Sequence, residues 1–204
     1  GFPMAENLVQ VGYRLAVFNR TAAKAGPLIA QGARLADRPA DAVPNGGTVV
    51  TVLWDDASVE EVVISDGFLD RLGSGVHVSM TTISPGMSRQ LAAVHARHGS
   101  AYVAATVFGL PPAAVAKALW IPMAGPQTAK DRVRPVLEAM GGRGIFDFGE
   151  DPGAANVVKL VANFLIASAG YAVREGLAMV ADNGVDPQAA MDVLTQTYFP
   201  VPVY

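Results

Sequence analysis

Apolar positions along this chain follow two rhythms. In the first part, short runs rich in β-branched residues, Arg14–Asn19, Gly47–Trp54, Val76–Met80 and Ala101–Ala105, alternate with stretches of helical spacing. The runs are nearly continuous in apolar character, which predicts strands of a parallel sheet covered on both faces. The stretches between them predict helices over Met4–Val11, Ala22–Gln31, Ser58–Ser65, Pro85–His98 and Thr128–Met140, with Ser58-Val-Glu-Glu61 in capping-box form at the third. Strand and helix in alternation point to a doubly wound α/β sheet.

After Phe148 the rhythm changes. Asp151-Pro152 has the form of an N-cap followed by proline, and Asn183-Gly184 of a helix stop. The intervening stretch of about 32 residues without proline predicts one helix roughly 48 Å long. Asp186-Pro187 opens a further helix. The expected organisation is an α/β domain over 1–150 and the start of an all-α domain over 151–204. No repeats or low-complexity tracts interrupt it.

Inside the long helix lies Asn156-Val-Val-Lys159-Leu-Val-Ala-Asn163, an apolar run with one charge. Asn156, Lys159 and Asn163 fall at i, i+3 and i+7, so they share a face. Lysine is costly to bury without a partner. Lys159 therefore either reaches water along its alkyl stem or faces a cleft that uses its charge. In a dry cleft its pKa would fall toward the range useful for proton transfer.

Composition narrows the classes. Hydrophobic residues make up 51% of the 204, and no cysteine is present, which removes disulfides, thiolate metal sites and a cysteine nucleophile. A net charge of −3 argues against nucleic acid or an anionic membrane surface as partner. Lys159 and Asn163 break the most apolar run below the ~18 residues of a membrane span. No basic segment followed by an apolar one opens the chain, so a cytoplasmic protein is expected. His95 and His98, with no carboxylate at ligand spacing, read as a solvated helix face rather than a metal site. His77 reads as packing. Asp55-Asp56 with Glu60-Glu61 reads as charge complementing a helix N-terminus. Neither a Ser-His-Asp arrangement nor G-x-S-x-G is present.

A dinucleotide fold holds pyrophosphate at a glycine turn opening a helix, and Gly1 stands where the last such glycine would be. At the end of the second strand, where a carboxylate would hold the ribose of NAD, the chain has Asn19-Arg20-Thr21. A guanidinium suits a 2′-phosphate, so NADP(H) is expected over NAD(H); a turn with a solvated arginine is the plainer alternative.

Taken together, Gly1-x-x-Met4-Ala5-x-Asn7-Leu8, Asn19-Arg20-Thr21, Thr82-Ile83-Ser84-Pro85 and Lys159-x-x-x-Asn163 resemble the β-hydroxyacid dehydrogenases. That family includes 3-hydroxyisobutyrate dehydrogenase and glyoxylate or succinic-semialdehyde reductases, with imine reductases as cousins. The resemblance implies a Rossmann-type domain lacking its first strand, followed by a helical domain whose later helices would lie beyond Tyr204. It implies an NAD(P)-dependent oxidoreductase acting on a small molecule, without a metal, and a homodimer through the helical domain. It places Gly1, Phe2, Pro3 and Met4 at the pyrophosphate turn, Leu53, Trp54 and Ser58 along the cofactor's edge, and Thr82 beside the nicotinamide ribose. It makes Lys159 the catalytic acid or base and Asn163 its partner on the substrate oxygen.

One stretch departs from the family. Its substrate loop reads roughly Asp-x-Pro-Val-Ser-Gly-Gly, and here the stretch is Ala104-Ala105-Thr106-Val107-Phe108-Gly109-Leu110. Phe108 and Gly109 are expected at the substrate, but the hydroxyl for a carboxylate is gone. A neutral or bulky carbonyl or imine substrate follows. A cofactor-binding sensor or scaffold without turnover is the other class left open.

Overall fold

A computed structural model describes residues 1–64 and 67–200. The chain divides into two compact units, Gly1–Lys159 and Leu160–Tyr204.

The first unit opens with helix α1 (Phe2–Gln10), strand β1 (Ala16–Val17), a 3₁₀ turn at Ala22–Ala25, α2 (Gly26–Ala30) and β2 (Arg34–Leu35). Then come β3 (Thr48–Thr51), α3 (Asp56–Val63), α4 (Phe68–Leu72), β4 (Val76–Ser79), α5 (Pro85–Arg97), β5 (Ala101–Ala105) and α6 (Pro111–Val115). It continues through β6 (Leu119–Ala124), α7 (Gln127–Ala139), β7 (Gly142–Asp147) and the start of α8 (Gly153–Asp182). α9 (Pro187–Thr197) lies in the second unit.

A five-stranded sheet runs β3-β4-β5-β6-β7, and β1 pairs with β2 in a separate parallel pair. β3, β4 and β5 are parallel, with Val50 opposite Val78 and Val78 opposite Val103. Period-two alternation along these strands divides the core between the faces. Val76, Val78, Val103 and Ala105 pack with Met4 and Leu8 of α1 and with Val133 and Leu137 of α7. Tyr102 and Ala104 pack with Val59 and Val63 of α3, Leu72 of α4 and Leu91 of α5. Helices thus cover both faces, as the apolar runs predict.

Several details differ from the sequence expectation. The strand expected over Arg14–Asn19 is confined to Ala16–Val17. β6 runs antiparallel to β5, because the chain reverses through α6 instead of crossing over a sheet face. The capping box of α3 begins earlier than expected. Asp55 is the N-cap, its carboxylate accepting from Ser58 N–H while Ser58 Oγ accepts from Asp55 N–H, and the helix starts at Asp56. Ser65, the expected end of that helix, lies outside the described residues. Where one helix was expected over Ala22–Gln31, the 3₁₀ turn precedes α2.

α8 begins under Asp151, whose carboxylate accepts from Gly153 N–H at 3.0 Å, and ends before Gly184, whose φ of 73° stops it. Its length and mean hydropathy of 1.4 would suffice for a membrane span, so the interruptions at Lys159 and Asn163 do not exclude one; a buried core helix meets the same criterion. In the second unit α8 carries exposed Phe164, Leu165, Ile166 and Tyr171.

Candidate functional site

Parallel strands align their carboxyl ends, and in open α/β sheets ligands bind outside that edge. Here the edge is made by the residues that follow β3, β4 and β5. Leu53 and Trp54 follow β3; Leu53 N–H donates to Thr81 Oγ1 at 2.9 Å, which ties this turn to the end of β4. Trp54 projects freely, 88% exposed. Thr82 follows β4 and is partly buried. Phe108 and Gly109 follow β5. The start of α1 reaches the same edge, because a Cβ on Gly1 would lie 3.6 Å from Val52 Cβ.

The first turn of α1 has no side-chain cap, so its leading amides are not taken up by a neighbouring side chain. The aligned peptide dipoles add positive potential there. Met4 is buried, so only its backbone is available to a ligand. Buried Asn7 anchors the helix: Nδ2 donates to Ala114 O at 2.9 Å and to Met140 O at 3.1 Å. Asn19, Arg20 and Thr21 are exposed in the loop after β1, where Asn19 Oδ1 accepts from Thr21 N–H at 2.9 Å and leaves the guanidinium projecting. A glycine-led helix start, a basic loop and a strand edge suit the phosphates and ribose of a nicotinamide dinucleotide. Ser58 is committed elsewhere: its hydroxyl donates to Asp55 O and accepts from the Trp54 and Asp55 amides.

Lys159 is half-buried on α8, and its ammonium lies over the ring of Phe108, Nζ being 4.7 Å from the ring centroid. Among the described residues it makes no ion pair. Partial burial holds its pKa below the usual lysine value. The ring is held from both sides of its backbone, since Phe108 N–H donates to Trp120 O at 2.8 Å and Phe108 O accepts from Trp120 N–H at 3.1 Å. Gly109 follows at φ 133°, where a Cβ would stand 2.8 Å from Leu119 Cδ2, so only glycine fits the turn. Thr106 Oγ1 donates to Ala155 O at 3.3 Å, tying the base of this loop to the first turn of α8. Asn163 stands one turn beyond Lys159 on α8, exposed, and belongs to the second unit.

The polar face expected over Asn156, Lys159 and Asn163 divides. Asn156 is buried and structural: Oδ1 accepts from Ile83 N–H at 3.3 Å and Nδ2 donates to Ser88 Oγ at 3.1 Å. His95 is not solvated, as expected from its spacing with His98, but fully buried against His77, with 3.1 Å between His77 Nδ1 and His95 Nε2. The reason is local. α5 turns His95 onto the sheet with Leu91 and Ser88, while His98 falls on the outer side. Sequence reasoning also passed over Lys130, buried in α7 and bonded to Asp147 at 2.6 and 2.8 Å. Its signal is the helical register it shares with Val133 and Leu137. Among the described residues no cluster of metal-ligating side chains occurs.

The profile of the NAD binding domain of 6-phosphogluconate dehydrogenase matches residues 1–149. The uncharacterised oxidoreductase YfjR of Bacillus subtilis is 40% identical over 206 residues, across 100% of this chain and 71% of its own. A 3-hydroxyisobutyrate dehydrogenase of Mycobacterium tuberculosis, solved with L-serine, superposes with a TM-score of 0.89 at 26% identity, over 98% of this chain and 68% of that one. An imine reductase of Streptomyces aurantiacus gives a TM-score of 0.86 at 25% identity, over 97% and 69%. This chain thus spans about seven tenths of each of these proteins.

Proposed function

The chain belongs to the 3-hydroxyisobutyrate dehydrogenase-like family of NAD(P)-dependent oxidoreductases, and from that premise we propose that it reduces a neutral carbonyl compound with Lys159 as the proton donor. The observation that carries this reading is the placement of Lys159: its ammonium lies over an aromatic face, with no carboxylate partner among the described residues, and partial burial lowers its pKa. Lys130, which is fully buried, is by contrast paired with Asp147.

The nicotinamide, when bound, supplies or accepts a hydride at the substrate carbon. The residues of this chain do the remainder. Backbone N–H groups at the start of α1, from Gly1, Phe2 and Met4, hold the pyrophosphate, with Pro3, which has no N–H, fixing the turn, and Leu53, Trp54 and Thr82 line the strand edge beside it. Arg20, with Asn19 and Thr21, pairs with a 2′-phosphate, so NADP(H) is preferred. As the substrate oxygen gains negative charge, Lys159 Nζ gives it a proton, and in the reverse direction Lys159 takes one back. Asn163, one turn on, orients that oxygen. Phe108 and Leu110 replace a hydroxyl and a glycine, so a small carboxylate finds no anion site in this loop, and a neutral apolar substrate is favoured. The apolar side chains exposed on α8 support a homodimer through the helical unit.

Lys159→Met tests the reading. Turnover with NADPH should fall about 10²- to 10⁴-fold while the protein folds and binds cofactor. Near-normal turnover would remove the lysine from the mechanism.

A further inference from the structure

We infer that Phe108 is a positioning residue for Lys159, its ring face holding the ammonium as the acid of the site, and that this pair selects a neutral carbonyl over an iminium substrate. The inference rests on the proposed role of Lys159 and names the substrate class that follows from it.

The geometry carries the first half. Nζ lies 4.7 Å from the ring centroid, inside the distance at which a cation is attracted to an aromatic face. No carboxylate competes for it among the described residues. The ring is not a mobile flap. Phe108 is bridged to Trp120 through both its N–H and its carbonyl, and the turn that follows can be made only by Gly109. On the other side, Thr106 donates to Ala155, which fixes the first turn of α8 and hence the root of the lysine. Desolvation disfavours the ammonium and the ring face favours it. The site thereby keeps a proton on Lys159 without a counter-ion that would compete for it in the transition state.

Charge carries the second half. A carbonyl oxygen becomes negative as its carbon takes hydride. It needs a proton, and Lys159 supplies it, leaving a neutral amine. An iminium already carries its proton and its charge. Its reduction to an amine consumes a hydride and no acid, and a cation brought up to the half-buried ammonium is repelled by it at short range. The aromatic face that could otherwise receive it is occupied by Lys159.

The test uses the complete protein with ¹³C-labelled lysine, the Lys159 Cε resonance being assigned by its loss in Lys159→Met. Phe108→Leu keeps the apolar bulk and removes the π face. The Lys159 pKa should fall by about 0.4 to 1 unit, and Phe108→Tyr should restore it. The basic limb of the kcat profile should move by the same amount. An unchanged or raised Lys159 pKa in Phe108→Leu overturns the positioning role, with Phe108→Met as the second non-aromatic variant if the first does not fold. For the substrate class, kcat/KM is compared for a cyclic ketone and the permanently charged N-methyl iminium of the same ring. The ketone should win by more than tenfold, and Lys159→Met should depress the ketone and spare the iminium. An iminium that is preferred, and that loses rate in Lys159→Met, overturns the selectivity. Should Lys159→Met reduce the ketone normally, the proposed function fails, while the resonance shift still reports on the ring and the ammonium separately.

Discussion

Acid should destabilise the first unit in a pH window set by two buried histidines. Leu91 O can only accept a hydrogen bond, so His95 Nδ1, 2.7 Å from it, carries a proton. In a neutral ring Nε2 is then an acceptor, and His77 Nδ1 must donate to it across 3.1 Å. His77 Nε2 in turn accepts from Thr51 Oγ1 at 2.8 Å. The chain of donors runs one way from Thr51 to Leu91, and a second proton has no acceptor in it. Phe68 and Tyr102, with ring centroids 5.6 and 5.3 Å from His77, pack edge-on against that fully buried ring. Burial accordingly lowers the His95 pKa from 6.5 to about 4, and burial with the neighbouring imidazole pushes His77 well below its ordinary value. The sign follows from linkage. Both rings are neutral in the fold and take up protons readily only when unfolded, so their contribution is fully present above pH 6.5 and is lost as pH falls toward the folded pKa. For His95 alone that loss is about 2 kcal/mol by pH 5 and about 3 kcal/mol by pH 4; His77 adds to it. The window is diagnostic, because the carboxylates held below their ordinary 3.8, among them Asp41, Asp55 and Asp151, weaken only at lower pH. Urea unfolding followed by tryptophan fluorescence between pH 7.5 and 4.5 measures the slope. It should nearly vanish in a His77→Phe, His95→Leu double variant. A flat profile in the parent, or an equal slope in the double variant, would refute the assignment of neutral rings.

Two further expectations concern the cofactor and the assembly. NADPH should bind more tightly than NADH, and Arg20→Ala should weaken NADPH by about tenfold with little effect on NADH, as measured by fluorescence titration; equal affinities in the parent protein would sink the 2′-phosphate reading. The full-length protein should sediment as a dimer, and Phe164→Glu with Ile166→Glu should shift it toward monomer; a monodisperse monomer of the parent would contradict it.

Much of this fold was legible because its informative segments are long and regular. The apolar runs at β4 and β5 are buried on both faces and that at β3 on one, and α8 is bracketed by Asp151 and Gly184, residues whose capping chemistry has a recognisable form. β6 and β7 were not legible. Pro122 sits inside Leu119–Ala124, and Gly142-Arg-Gly opens β7, so both runs carry the residues that ordinarily break strands. β6 tolerates its proline because its ladder with β5 is confined to Ala104 opposite Ala124 and Ala105 opposite Met123, and Pro122 lies beyond it. Order along the chain is enough to single out Gly1, Arg20 and Lys159 as candidates. Side-chain pairings made by tertiary packing were not legible. Spacing grouped His95 with His98, whereas burial pairs it with His77, a strand residue 18 positions away.

The two lysines of the helical segments show why burial alone does not mark a functional charge. Lys130 is the more deeply buried, yet its ammonium is bonded to both oxygens of Asp147 and, at 3.2 Å, to Gly149 O. All its donors are used, and the ion pair holds the Asp147 carboxyl below its ordinary range. An ammonium so bonded has no N–H left to offer a substrate. Lys159 is less buried and, among the described residues, has the Phe108 face and no ion pair. Releasing its proton strands nothing and relieves its desolvation. Of the two, Lys159 is the one whose ammonium is left open to a substrate oxygen, which the proposed proton exchange requires.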